Sequence, residues 1–307
     1  VSELLGWLGS PQVTSLLVNM LEQGALFGFL GLGVLITFRF FRFPDLTAEG
    51  SYPLGGAVVA ALLVARVNPF LATGAAVLAG AAAGVTTALV HTKLRINNII
   101  AGIIVMTAIY TVNLRVMGRA NTSLLDTASV FDEVVRGLTA VGLAVRPGAA
   151  ATIAVTALAL MVVALVLRAF FRTDLGLAVR ATGENEGMIR ALGVDTDRTK
   201  IVGLALSNGV IALSGALIAQ NHGFADIGMG LGVLVTGAAA VLIGEALFGD
   251  RTVGRWIVAA IVGVLIYRFL VALALRVGLQ PTDLRLVTAV LLLLALAVPR
   301  LRRPVGA

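Results

Sequence analysis

The sequence predicts an all-α, polytopic membrane bundle of about eight to ten spans. Three observations carry that prediction. Charged residues make up only 13% of the 307 positions, whereas 59% are apolar and the mean hydropathy is +1.00. Soluble domains carry about a quarter charged residues, so the polar shell a soluble core of this size needs is missing. The apolar residues fall in runs of membrane-crossing length, which for a helix is about 20 residues. Finally, 35 glycines are spread through the chain, and small residues let helix backbones approach closely where lipid supplies no hydrophobic drive between helices.

Nine apolar segments follow along the chain, at 13–38, 53–67, 70–91, 96–117, 148–171, 199–220, 228–247, 253–276 and 283–299. The second is short and follows a polar stretch, Phe43 to Tyr52, so its first part reads as broken or re-entrant. The opening VSELLGWLGSPQ has no basic region ahead of a short apolar core and does not read as a cleaved signal peptide. The whole chain reads as a single transmembrane domain.

The basic residues gather in four joints: His91, Lys93 and Arg95; Arg168 through Lys200; Arg251 with Arg255; and Arg300, Arg302 and Arg303. Cytoplasmic joints are enriched in Lys and Arg. An even number of spans separates each neighbouring pair of joints, so all four fit one side of the membrane. Arg39 and Arg42 then fall inside as well, and the 118–147 loop, with Asp126, Asp132 and Glu133, falls outside. The net charge of +7 therefore reads as a topology signal. No basic face with interleaved aromatics exists, and nucleic acid is not an expected partner.

The stretch 43–63, FPDLTAEGSYPLGGAVVAALL, aligns without a gap on 224–244, FADIGMGLGVLVTGAAAVLIG, at an offset of 181 residues. Phe43 matches Phe224, Asp45 matches Asp226, and Gly56 with Ala57 match Gly237 with Ala238. The same offset lays the first four spans (13–117) on the last four (199–299). The single linking span at 148–171 turns the second set upside down, giving a 4+4 inverted-topology repeat. Such repeats with interrupted helices at matching places mark transporters, and the interruption points to the substrate path. Carboxylates at membrane depth usually face the bundle interior or a wet path. Asp45, Thr47, Glu49 and Ser51 are therefore candidate pathway residues, with Asp226 and Gly228 as their counterparts. The competing reading is an interfacial loop in which Glu49 caps the second span. The Gly-Ser-Tyr-Pro run at 50–53 is expected to break the helix.

Asn19 and Gln23 fall on one helical face, and they and Ser207 with Asn208 read as interhelical hydrogen-bonding groups. Tyr267 and Arg268 lie deep in a span, where an arginine needs a partner or a route to the interface. Glu245 is expected to pair with Arg251 or Arg255. No catalytic constellation is visible. His91 and His222 are far apart with no neighbouring ligand set, cysteine is absent, and no phosphate-binding G-x-x-x-x-G-K-[ST] occurs. The chain is not expected to be an enzyme or to hold a metal or cofactor, and any ATP energy must come from another subunit.

The longest polar interruption, 173–198, is helix-capable and amphipathic. Ala181, Met188, Ala191 and Leu192 can share one face, and Gly183 suggests a bend between two short helices. A plain joint needs only a few residues, so a structured insertion argues for docking something. Here the residues resemble a known family. LGLAVRATGENEGMIRALGVDTDRTKIVGLALSNGVIALSGALIAQ (175–220) resembles the coupling segment and following span of ATP-binding-cassette importer permeases of the branched-chain amino acid type. INNIIAGIIVMTAIYTVNLRVMG (96–118) and FPDLTAEGSYPLGGAVV (43–59) are similar to a subgroup assigned to tryptophan, tyrosine or related solutes.

The resemblance implies an importer permease in the bacterial cytoplasmic membrane. Its implied partners are a second copy of itself, an ATPase dimer that holds ATP and magnesium, an extracytoplasmic solute-binding protein, and membrane lipid. Carried over by position, Arg180, Gly183, Glu184, Asn185, Arg190 and Gly193 belong to the ATPase-docking segment. An ion-coupled secondary transporter stands as the alternative, since it also uses inverted repeats.

Overall fold

The computed structural model describes residues 11–140, 148–249, 252–280 and 283–301. The opening stretch 1–10, Arg251, Arg302 and Arg303 lie outside the described residues. Twelve α-helices account for nearly all of it: α1 (Pro11–Leu35, extended by a π turn, Ile36–Phe40), α2 (Ala48–Val64), α3 (Pro69–Leu94), α4 (Asn98–Met117), α5 (Val130–Ala140), α6 (Ala149–Phe170), α7 (Asp174–Glu184), α8 (Glu186–Ala191), α9 (Thr196–His222), α10 (Val233–Phe248), α11 (Val253–Arg276) and α12 (Leu284–Leu301). Two three-residue strands, β1 (Asn121–Ser123) and β2 (Phe224–Asp226), pair antiparallel, with Thr122 opposite Ala225. Seven of the described helices, some with a flanking π or 3-10 turn, are long and apolar enough to cross a membrane.

The helix ends follow from local chemistry. Asn68 and Asn97 cap α3 and α4 by accepting from the N–H of Phe70 and Ile99, each at 2.9 Å. Asp195 caps α9 in the same way, accepting from Asp197 and Arg198. Gly118 and Gly223 end α4 and α9 with φ of 69° and 74°, a backbone region that costs glycine nothing. Ser129 and Asp132 form a reciprocal capping box at the start of α5. That amphipathic helix lies in the 118–147 stretch, which the apolar pattern alone leaves as a loop.

α1 and α9 form the centre. In each, 72% of the apolar window is buried, against 22% in the peripheral α6. Around them the packing is reciprocal: α9 lies on α2 and α3, while α1 lies on α10 and α11. α2 also packs on α3 and α4, as α10 packs on α11 and α12. Contacts between α2 and α9 are at backbone distance, since a Cβ on Gly55 would overlap the Ala212 carbonyl and one on Gly215 the Tyr52 carbonyl. The same holds between α10 and α11, where Gly244 meets the Ala259 carbonyl and Gly263 the Ala240 carbonyl.

α2 has 17 residues and α10 has 16, each about 25 Å long and short of a hydrocarbon layer of about 30 Å. Irregular chain at 41–47 precedes α2, and β2 with a 3-10 turn (Ile227–Gly230) precedes α10. The interruption ahead of α2 therefore exists, but it lies earlier than residue composition suggests. Gly50, Ser51, Tyr52 and Pro53 are inside α2. Pro53 sits in the second turn and leaves the Glu49 carbonyl without its helical donor. Gly230 packs directly on that carbonyl and on the Pro53 ring.

Among the described residues, ion pairs and ring contacts gather Arg39, Arg42, His91, Lys93, Arg180 and Lys200 on one face. Arg39 pairs with Glu245 at 3.2 Å and Arg42 with Glu184 at 2.8 Å. Lys93 approaches Asp197 at 3.9 Å, and Lys200 lies 3.2 Å from His91. The β1 and β2 pair and the 118–140 stretch occupy the opposite face, where Arg66 donates to the Asp126 carbonyl. Glu245 thus pairs with Arg39 of another helix. Of the two arginines expected to pair with it, Arg251 lies outside the described residues.

Candidate functional site

Two places concentrate polar groups. The first lies at mid-depth, where the chain ahead of α2 meets α9. Asp45 accepts from the Thr47 N–H at 2.9 Å through one carboxylate oxygen and from the Asn208 side-chain amide at 2.7 Å through the other. Asn208 also donates to the Leu204 carbonyl at 3.0 Å and accepts from the Ser51 hydroxyl at 2.7 Å. Thr47 shares a 2.7 Å hydrogen bond with Thr87 of α3. Asp45, Thr47, Ser51 and Asn208 are at most 1% exposed. Every polar atom Asn208 carries toward α2 is therefore used, as burial requires.

Glu49 points the other way. Its carboxylate faces the backbone N–H groups of Gly232 and Leu234. No side chain of its own segment caps α10, and Gly232 there has a φ of 79°. A carboxylate from α2 thus stands at the N-terminus of α10, the positive end of that helix. Glu49 was read as a possible cap for its own span and instead serves a different helix. Asp226 repeats the local turn of Asp45, accepting from the N–H two residues on (Gly228, 2.8 Å), and it also accepts from Asn121 at 3.2 Å. Asp226 and Gly228 lie at the outer strand pair, apart from the Asp45 cluster.

The second place is the α7–α8 element on the basic face. Thr173 caps α7, and Asn185 caps α8 by accepting from the Met188 N–H at 3.0 Å. The break between them is at Asn185, where φ is −155° and ψ is 92°. Gly183 is not the bend. It sits in the last turn of α7, where a Cβ would come within 2.6 Å of the Phe41 carbonyl oxygen and 2.7 Å of that of Phe40. Glycine is needed there because α7 runs against bare backbone at the end of α1.

The element is tied to the bundle from several sides. Arg190 donates to the Thr196 hydroxyl (2.7 Å) and to Glu186 (3.0 Å), and it approaches Asp197 at 3.6 Å. Glu186 receives Lys200 at 2.8 Å, and Thr182 bonds Thr199 at 2.9 Å. Arg180 lies over the Trp256 ring, 5.5 Å from its centroid. Partial burial alone would push the Glu186 carboxyl up. The hydrogen bond and charge of Lys200, with Thr196 and Arg190, outweigh that and hold it below its ordinary value. Gly193, with φ of 85°, turns the chain after α8 toward the Asp195 cap of α9.

The apolar residues of the element divide. Val179 and Ile189 are buried against the bundle, whereas Met188 and Leu192 are 52% and 71% exposed, next to exposed Ala191. All six coupling candidates therefore belong to one anchored element with a bare apolar edge. Composition did not reveal that Asn208 is the hub of the buried cluster. The only sequence signal was a polar pair, Ser207 and Asn208, in an otherwise apolar run.

A family model described as "Branched-chain amino acid transport system / permease component" matches residues 16–297. A tyrosine transport system permease protein of Clostridioides difficile is 37% identical over 286 residues, covering 93% of this chain and 92% of that one. The ribose import permease protein RbsC of Escherichia coli is 28% identical over 290 residues, 92% of this chain and 84% of that one. The solved structure of PsaBC from Streptococcus pneumoniae in complex with a Fab superposes with a TM-score of 0.50 at 16% identity, covering 96% of this chain and 94% of that one. That likeness concerns the fold.

Proposed function

The chain belongs to the family of branched-chain amino acid transport system permeases, multi-pass membrane subunits of ATP-binding-cassette transporters, and on that premise we propose that it forms the solute path of an importer. ATP and magnesium would be held by a separate ATPase pair, and solute would be handed over by an extracytoplasmic binding protein. A second copy of this chain would complete the path. The solute class we propose is amino-acid-like, with an aromatic member in view of the tyrosine permease relative.

The observation that carries this reading is the α7–α8 element. One side is fixed to α1, α9 and α11 by Arg42, Lys200, Arg190 and Arg180, and the other leaves Met188, Ala191 and Leu192 bare. An apolar edge rimmed by charges on the basic face suits a protein partner. Force on that edge would pass through Lys200 and Thr196 into α9, and along α9 to the Asn208 junction with α2. In this reading Asp45, Thr47 and Ser51 form the fixed joint behind the path. Glu49 joins the α2 and α10 starts at its wall, and Asp226 with Gly228 shapes its outer approach.

Reciprocal packing of α1–α4 and α9–α12, and the shared turns at Asp45 and Asp226, support a 4+4 inverted repeat. The test is reconstitution with the ATPase subunits in liposomes. Arg190→Ala removes the ties to Thr196, Glu186 and Asp197, so uptake should fall at least tenfold while ATP hydrolysis persists. Unchanged coupled uptake would count against the docking assignment. Uptake abolished by an ionophore and indifferent to ATP depletion would favour an ion-coupled transporter.

A further inference from the structure

Arg268 of α11 stands eight residues from the helix end at Arg276, about 12 Å along the axis. Its guanidinium carbon lies 3.2 Å from the centroid of the Phe27 ring. Among the described residues no carboxylate pairs with Arg268, and its buried Nε has no hydrogen-bond partner. An arginine at this depth is expensive and ordinarily paired. It lines a cavity of about 470 Å³ between α1, α10, α11 and α12, a volume in the range of small-ligand sites.

The chemistry of the walls is specific. Phe27 and Tyr267 present aromatic surface, and Thr236, Tyr267 and Thr288 form a chain of hydroxyls at 3.5 and 2.6 Å. Gly232 and Val233, at the start of α10, close one side. Glu49 stands at that helix end, and among the described residues Arg268 is the one charged side chain lining the cavity. Among the described residues no acidic side chain lines it, and none of them is matched to an ammonium group.

We infer that this cavity binds the carboxylate of a small aromatic carboxylic acid, with Arg268 gripping both oxygens. Phe27 and Tyr267 flank the ring, and the hydroxyl chain meets the solute's polar end. The inference rests on the importer reading for the solute's role, and it adds a site and a recognised group. It also makes a specific demand: the carboxylate is required and the amine is not.

The experiment uses the full chain in nanodiscs of zwitterionic lipid and measures equilibrium binding of radiolabelled L-tyrosine, with competition by 3-(4-hydroxyphenyl)propionate and by tyramine. The propionate should displace tyrosine within a few-fold of tyrosine itself, and tyramine should fail. Arg268→Gln should weaken binding at least tenfold. Arg268→Lys, which keeps the charge and loses the two-pronged grip, should fall between; thermal unfolding confirms that each variant is folded. No tyrosine binding by the unmodified chain, equal displacement by tyramine, or undiminished binding by a folded Arg268→Gln each overturns the inference. So would an Arg268 effect that appears only in anionic lipid, which would assign the guanidinium to a headgroup. ATP-independent uptake would sink the importer reading and leave the binding result standing.

Discussion

Exchanging the side chains of Asp45 and Asn208 tests whether the buried cluster fixes α2 to α9. In Asp45→Asn the new amide has one oxygen for two donors, the Thr47 N–H and the Asn208 amide, which now reach it at 2.9 and 2.7 Å. Whichever way it turns, one buried donor is left unmatched, at about 1–3 kcal/mol. Taking about 2 kcal/mol, and about 2–4 °C per kcal/mol for a large domain, the midpoint of thermal unfolding in detergent should drop by about 4–8 °C. Asn208→Asp sets two carboxylates at hydrogen-bond distance in a site at most 1% exposed and should cost more, about 3–5 kcal/mol. The double exchange restores a donor facing an acceptor and keeps the Ser51 bond. It loses the bond to the Leu204 carbonyl and sets a carboxylate oxygen against that carbonyl, at about 1–3 kcal/mol. The double variant should therefore be more stable than Asn208→Asp alone. Single effects that add to within about 0.5 kcal/mol would refute the coupling. A loss near 0.6 kcal/mol for Asp45→Asn, the average for ordinary interhelical bonds in lipid, would reduce the cluster to glue.

Two further outcomes follow from the basic face. Gly183→Val should displace α7 from the Phe40 and Phe41 carbonyls and lower ATP-driven uptake severalfold. Gly187→Ala, whose Cβ would meet nothing nearer than 3.5 Å, should not; equal uptake by the two in the liposome assay would contradict the close approach. The Glu186 carboxyl titrates below its ordinary 4.5, so its ties to Lys200 and Arg190 stabilise the element fully above that pH. They are lost as pH falls through the lowered value. The unfolding midpoint of Glu186→Gln should therefore lie below that of the unmodified chain at pH 7 and converge with it once the pH is below that lowered value, and a gap that widens on acidification would reverse the sign.

Much of the fold was legible because span length and hydropathy are set by the lipid. The 148–171, 253–276 and 283–299 segments agree with α6, α11 and α12 to within two residues. That Arg39, Arg42, Lys93 and Lys200 share a face was legible because an even number of spans separates the basic joints. What composition could not place was contact between segments distant in sequence. Glu49 reads locally as a cap for its own helix, and only packing of α2 against the start of α10 redirects it. Gly183 reads locally as a hinge, and only the neighbouring carbonyls show why no side chain fits. Pro53 reads as a breaker, yet in the second turn it costs one carbonyl its donor and α2 continues.

The glycine-to-carbonyl seams have a mechanical consequence. Helices that touch backbone to backbone at Gly55, Gly215, Gly244 and Gly263 leave no side-chain cushion to compress or shear. α2 with α9, and α10 with α11, can then travel only as stiff plates. Opening and closing such a molecule calls for hinging where plates meet, as at the Glu49 carboxylate between α2 and α10, or across the boundary with a second copy.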